Sequence, residues 1–206
     1  DPTLVARALT AAVRGRGLSS LPWSKAATRL RQRVEFVRRA GVVGLPDLSD
    51  DTLTATLEDW LGPHLVGRTA PADIRETQVF EGLDALLDWE ARRRLDAEAP
   101  SHFTAPTGSS VPIDWEAEAG PTIAIRVQEL FGLDRHPSVC DGRVPLVLEL
   151  LSPAHRPIQV TRDLPGFWKG SWSAVKSEMK GRYPRHPWPD DPAAAPPTTR
   201  AKPRGT

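Results

Sequence analysis

VPLVLELLSPAHRPIQVT, Val144–Thr161, decides the architecture of the chain. Val144 to Leu151 is an almost unbroken apolar run of strand length, and Ser152-Pro153 is turn chemistry. Pro157 to Thr161 then returns as a second extended segment. A run this apolar needs cover on both faces, so the hairpin belongs inside a larger β unit. Upstream, His102 to Pro106 and Val111 to Trp115 flank the turn Thr107-Gly108-Ser109-Ser110 and read as another hairpin, with Pro112 on an edge. Between the two hairpins, Ile123, Val127, Leu130 and Phe131 fall at helical spacing and Gly132 closes the segment. Two hairpins around a helix predict a small, partly closed, antiparallel β domain over 100–165.

N-terminal to it the periodicity is helical throughout. Asp1-Pro2 caps a helix whose predicted stripe is Leu4, Val5, Ala8, Leu9, Ala12 and Val13. Ser24 opens a second, with Ala27, Leu30, Val34 and Val37 inside and Arg29, Arg31, Arg33, Arg38 and Arg39 outside. Ser49 opens a third, with Leu53, Leu57, Trp60 and Leu61 inside and Asp50 and Asp51 facing the helix dipole. Pro71 to Glu76 reads as one helical turn, and Phe80 to Asp96 as two helices meeting near Asp88. Short connections predict an antiparallel helical bundle over 1–99. After the β unit, Ser171 or Ser173 caps a last helix with Trp172, Val175 and Met179 inside, within a basic, aromatic extension over 166–192. Residues 193–206, rich in Ala, Pro and Thr, read as a disordered tail. The fold class is α+β.

The totals narrow the function classes. A 206-residue chain with 39% apolar residues can build a core, and 21 prolines cut it into short elements. A single cysteine, Cys140, excludes an intramolecular disulfide and points to a reducing, cytoplasmic setting. No apolar run has the length of a membrane span, so no membrane partner is expected. An opening Asp1 in place of Met fits a piece of something longer. The net charge of +1 hides a separation: from Arg156 onward ten bases face four acids, an excess of six, while the remainder is acidic. That end suits a polyanion.

No phosphate loop, dinucleotide turn or GxSxG elbow is present; Lys169-Gly170-Ser171 has the residue types of a phosphate loop in the wrong order. His136 and Cys140 are four apart but separated by Pro137, with no second ligand pair, so no metal is predicted. Asp88/Glu90 and Asp96/Glu98 sit beside Arg92, Arg93 and Arg94, which makes them salt-bridging surface rather than acid/base pairs. No catalytic residue is assigned. Aromatic–basic interleaving is the functional signal: Phe167, Trp168, Trp172, Tyr183 and Trp188 alternate with Lys169, Lys176, Lys180, Arg182 and Arg185. Rings that stack on bases beside cations that hold phosphates are what single-stranded RNA or DNA requires. Trp168, Trp172, Tyr183 and Trp188 are the stacking candidates. The competing reading is a protein-interaction module whose Trp- and Pro-rich C-terminal segment docks a partner or the motor domains of a longer parent chain.

LLDWEARRRLDAEAPSHFTAPTGSSVPIDW (Leu86–Trp115), IAIRVQELFGL (Ile123–Leu133), GRVPLVLELLSPAHRPIQVTRDLPGFWKGSW (Gly142–Trp172) and VKSEMKGRYPRHPWPDDP (Val175–Pro192) resemble the accessory C-terminal region of bacterial HrpB-type DEAH-box ATP-dependent RNA helicases. LPWSKAATRLRQRV (Leu21–Val34) and LEDWLGP (Leu57–Pro63) extend the likeness more loosely. The resemblance implies two RecA-like motor domains elsewhere in the parent chain, which would hold ATP and magnesium; no cofactor is implied for this chain. It implies that residues 100–165 are an oligonucleotide-binding (OB)-like domain. It also implies nucleic-acid contacts on the β-domain loops and the bundle, here from Thr107, Ser109, Arg143, Arg156 and Arg162. Ser110 stands where the family pattern usually carries a base, which shifts the loop's contacts to backbone N–H groups, Thr107, Ser109 and neighbouring arginines. The natural substrate and the oligomeric state have no signature in the sequence.

Overall fold

The computed structural model describes residues 1–201, which divide into two compact units at Ala99/Pro100. In the first unit, α1 (Pro2–Arg16) begins at Asp1, whose carboxylate accepts the Thr3 N–H at 2.9 Å. Its buried face is Ala6, Leu9, Thr10 and Val13. The predicted stripe is therefore displaced: Leu4 is 62% exposed and Val5 lies at the surface. Both stripes share Leu9 and Val13, and the small side chains of Ala6 and Thr10 let α1 approach the 3₁₀ turn Gly62–Leu65 more closely than Leu4 and Val5 would.

The second helix, α2 (Lys25–Arg39), buries Ala27, Leu30, Val34 and Val37, with Ser24 accepting the Ala27 N–H. Its arginine face is largely structural. Arg31 donates to the Leu48 carbonyl and pairs with Asp50. Arg33 donates to the Ala99 carbonyl and pairs with Asp96, and Arg38 bridges Glu35 and Asp47. What reads as one helix from Ser49 is two, α3 (Asp50–Ala55) and α4 (Leu57–Trp60), because Thr56 takes a non-helical ψ of 18° and turns its hydroxyl back onto the Thr52 carbonyl. The unit closes with α5 (Glu76–Ala85) and α6 (Trp89–Glu98), the latter capped by Asp88 accepting the Ala91 N–H at 2.7 Å. Leu48, Leu53, Leu57, Leu61, Leu65, Leu83 and Leu95 are fully buried and form the core.

The second unit holds three small sheets rather than one barrel wall. β1 (His102–Thr104) and β2 (Ser110–Pro112) pair antiparallel. β3 (Thr122–Arg126) is followed by a 3₁₀ turn, Val127–Leu130. A short ribbon joins β4 (Ser138–Val139) to β5 (Val144–Pro145), and then come β6 (Val147–Leu151) and β7 (Pro157–Thr161). The largest sheet has the order β3-β6-β7, with β3 and β6 parallel and β6 and β7 antiparallel.

Three expectations change here. The helix predicted through Ile123 and Phe131 is a strand and a turn, because Ile123, Ile125, Val127 and Phe131 bury an alternating face that also matches helical spacing. The purely antiparallel arrangement fails at the centre, since residues 127–146 form a crossover that brings β6 alongside β3 in the same direction. The run from Val144 splits in two because Pro145 has no N–H for a ladder, while the Leu146 N–H goes to the Pro137 carbonyl.

Two helices follow. Asp163 caps α7 (Leu164–Lys169) by accepting the Gly166 N–H, and α8 (Trp172–Arg182) buries Trp172 and Met179. Beyond α8 the chain stays on the unit. The Pro192 carbonyl accepts the Gly132 N–H at 3.0 Å, and the Thr198 N–H donates to the Gln128 carbonyl at 3.1 Å. Disorder from residue 193 is thus corrected for 193–201: composition sees only Ala, Pro and Thr, not the turn at 128–132 on which they lie. The remainder of that predicted tail, with Lys202 and Arg204, lies outside the described residues. Among the described residues, no helix is long and apolar enough to cross a membrane.

Candidate nucleic-acid interface

The tryptophans of the C-terminal extension form a core. Trp168 and Trp172 are 8% and 2% exposed, and with Phe131 and Phe167 they make a cluster of tilted and edge-on rings. Their indole N–H groups donate to the Leu133 and Pro189 carbonyls at 2.9 Å. Neither ring has a face for a base, so both are withdrawn as stacking candidates; Trp is large and apolar enough that burial wins whenever its one donor finds an acceptor. Trp188 is half-buried against Trp172 and donates to the Tyr183 carbonyl. Tyr183 is also half-buried, with its hydroxyl 3.4 Å from Ser152 Oγ.

The cations are not on one surface. Register alone separates two of them: Arg126, Leu151 and Pro157 share one end of the β3-β6-β7 sheet, while Thr122, Val147 and Thr161 share the other, ~13 Å away at strand rise. Arg156 therefore belongs to the first end and Arg162 to the second, where it donates to the Ala119 carbonyl. Arg143 lies in the β4–β5 turn, on a separate two-stranded ribbon. On α7 and α8, Lys169 and Lys180 are exposed, Lys176 is paired with Asp190, and Arg182 is paired with Glu178.

Several candidates do converge at the first end of the sheet. Ser152, just past β6, links it to Tyr183, and His186 packs edge-on to Tyr183 at 6.3 Å. Burial, then the charges of Arg126 and Arg185, hold the His186 imidazole below its ordinary pKa. The β1–β2 turn joins the same cluster through Glu129. Thr107 Oγ1 lies 3.1 Å from one carboxylate oxygen of Glu129 and 3.0 Å from Ser109 Oγ, while Arg126 donates to the other oxygen at 2.9 Å. Arg126 also reaches the Thr199 carbonyl. Thr107, Ser109, Arg156, Tyr183 and Arg185 are thereby gathered around Arg126, Glu129 and His186. Arg126 and Glu129 escaped the sequence reading because they sat inside a predicted helix, where an i, i+3 pair looks like ordinary surface; His186 had no pattern to mark it.

Glu129 ties the turn down by hydrogen bonds. Its side chain is 8% exposed, and burial alone would raise its pKa, but hydrogen bonds from Ser109, Arg126 and Thr107 and the Arg126 charge hold it below the carboxylate range. With the folded value below the unfolded one, the stabilisation is complete above about pH 4.3 and is lost as pH falls through the lowered folded value. Glu129→Gln is expected to remove that acid-side loss, leaving urea midpoints of the variant flatter than those of the parent between about pH 3 and 5. An unchanged slope would mean that the carboxylate does not hold the turn.

No trio of His, Cys, Asp or Glu that could hold a metal occurs among the described residues. Cys140 is buried, and His136 is spent on the backbone, lying 2.8 Å from the Leu146 carbonyl and 3.0 Å from the Leu164 N–H.

The family model described as "ATP-dependent helicase C-terminal" (HrpB_C) matches residues 60–192. The ATP-dependent RNA helicase HrpB of Escherichia coli (strain K12) is 46% identical over 197 residues, 95% of this chain and 24% of that protein. A crystal structure of the E. coli DExH-box NTPase HrpB superposes with a TM-score of 0.84 at 46% identity, over 93% of this chain and 24% of that one. A crystal structure of the E. coli DEAH/RHA helicase HrpB gives 0.73 at 43% identity, over 87% and 23%. The chain spans about a quarter of the length of the relatives it matches. A family match over residues 60–192, carried on the same mixed helical and small-sheet architecture, makes this chain a member of the HrpB-type ATP-dependent helicase C-terminal family.

Proposed function

We propose that this chain is a non-catalytic accessory region of a DEAH-box, HrpB-type RNA helicase, which holds single-stranded nucleic acid while motor domains of the same parent chain hydrolyse ATP. The observation that carries the reading is the gathering of Arg126, Arg156, Arg185 and His186 at one end of the β3-β6-β7 sheet, beside the pinned turn Thr107–Ser109. Guanidinium groups at this end bind phosphates, and the exposed parts of Tyr183 and Trp188 offer ring surface to a base. OB-like behaviour is proposed in this functional sense, as strand binding by loops of a small β domain, without the closed barrel. ATP and magnesium belong to the motor domains, so the chain alone hydrolyses nothing; RNA as the natural polymer follows the name of the relative, and a cytoplasmic setting follows from the single cysteine.

The protein-docking alternative loses its instruments in unit 2. Trp168 and Trp172 are spent on the core, and the Pro189 and Pro192 carbonyls are held by Trp172 and Gly132 of the same unit.

Titration of a fluorescein-labelled single-stranded RNA 20-mer with the 206-residue chain tests the reading. Binding should weaken with salt at a log–log slope near −0.7 per phosphate contacted. Arg156→Ala and Arg185→Ala should each weaken binding several-fold and reduce that slope by about 0.7, whereas Arg162→Ala, at the other end of the sheet, should change little. No binding at low salt, or equal losses from both ends, would overturn it.

A further inference from the structure

Seven tryptophans occur in the chain, and six of them donate their indole N–H to a backbone carbonyl of their own unit. Trp23 donates to Leu18, Trp60 to Leu53, Trp115 to Pro100, Trp168 to Leu133, Trp172 to Pro189 and Trp188 to Tyr183. Trp89 is the exception. It is 74% exposed at the start of α6, and its N–H has no acceptor among the described residues. An indole is costly to leave in water and contributes nothing to the core from there.

Arg93, one helical turn on, lies with its Cζ 4.9 Å from the centre of the Trp89 ring. The arginines flanking it are committed: Arg92 pairs with Asp84 at 2.7 Å, and Arg94 donates to the Val43 carbonyl. Arg93 has Glu90 within helical reach, yet among the described residues it makes no ion pair and stays on the ring. The other cation–π pair of this unit is different in kind, since Arg31 beside Trp23 is also fastened to Leu48 and Asp50. Trp89 and Arg93 therefore present together, on a capped helix, a flat π-face and a guanidinium that has no ion pair among the described residues.

We infer that Trp89 and Arg93 form a contact for single-stranded nucleic acid on the helical unit, with a base stacked on the indole and the adjoining phosphate on the guanidinium. The chemistry favours this occupant over a protein surface. The residues next to Trp89 on α6 are Glu90, Arg92 and Arg93, so on its own helix the indole is flanked by charge. A nucleobase needs only the ring face, and its phosphate supplies the charge that Arg93 lacks. The inference rests on the reading that the chain handles a single strand, and adds a site that uses none of the residues at the β-sheet end.

The test compares the 206-residue chain with Trp89→Ala, Trp89→Phe and Arg93→Ala on a single-stranded oligo(dT) 20-mer and on an abasic strand of the same length and charge. Both side chains are exposed, and circular dichroism verifies that each variant is folded. Trp89→Ala should weaken oligo(dT) binding about five-fold or more, in line with roughly 1–3 kcal/mol per stacked base, and leave abasic binding unchanged. Trp89→Phe should retain part of the affinity, and Arg93→Ala should weaken both strands. Equal losses on both strands would rule out stacking. If Trp89→Ala binds oligo(dT) like the parent while Arg156→Ala does not, this site is overturned and the β-sheet-end reading stands; Trp89 would then belong to a protein face. If the parent chain binds neither strand, both readings fall.

Discussion

Trp172→Ala is expected to destabilise the second unit by about 3–5 kcal/mol, the usual cost of emptying a buried aromatic site. The ring is 2% exposed and stands edge-on to Phe131 at 5.6 Å and to Trp168 at 5.4 Å, with Trp188 at 6.0 Å. Its N–H holds the Pro189 carbonyl, so the substitution both opens a cavity and releases the segment that lies along α8. In thermal unfolding followed by near-ultraviolet circular dichroism, a loss of this size moves the midpoint of a unit of ~100 residues down by roughly 15–30 °C. Trp172→Phe should recover much of it by refilling the apolar volume. The measurement also separates core from platform. Normal stability with impaired oligonucleotide binding would restore Trp172 as a base-stacking ring.

Gly82→Ala should lower the stability of the first unit by about 2–3 kcal/mol. In an exposed helix the same change stabilises by about 1 kcal/mol, because Ala is the better helix former. Here the sign reverses because α5 lies directly on Trp60. A Cβ at position 82 would stand 2.6 Å from the Trp60 carbonyl oxygen and 2.8 Å from a ring carbon of its indole. Trp60 cannot give way readily, since it is 2% exposed and its N–H is fixed to the Leu53 carbonyl at 2.9 Å. The unfolding midpoint of the helical unit should fall by roughly 10–20 °C. A midpoint that rises would show that α5 and α4 can separate without loss.

Helix starts were legible because their determinants are local. Asp1, Ser24, Ser49 and Asp88 each accept a backbone N–H two or three residues on, which a four-residue window contains. The family was legible because long strings such as Gly142–Trp172 carry far more information than a short motif. The candidate interface was legible only in part. Thr107, Ser109, Arg156, Tyr183 and Arg185 were marked by type or by resemblance, but Trp168 and Trp172 were marked by the same rule and are core. Arg126 and Glu129 were missed because their importance lies in the Thr107 turn some twenty residues away.

Composition, caps and motif absences by themselves determined a mixed α and β chain without a phosphate loop, basic toward its C-terminus and built of short elements. Tertiary structure alone decided which face of α1 is buried, that β3 runs parallel to β6, that residues 193–201 lie on the second unit, and that six indole N–H groups are fastened while that of Trp89 has no acceptor among the described residues. The division is physical. Capping and turn chemistry act between neighbours in sequence, whereas the burial of a ring or the pairing of a strand depends on what the rest of the chain brings to it.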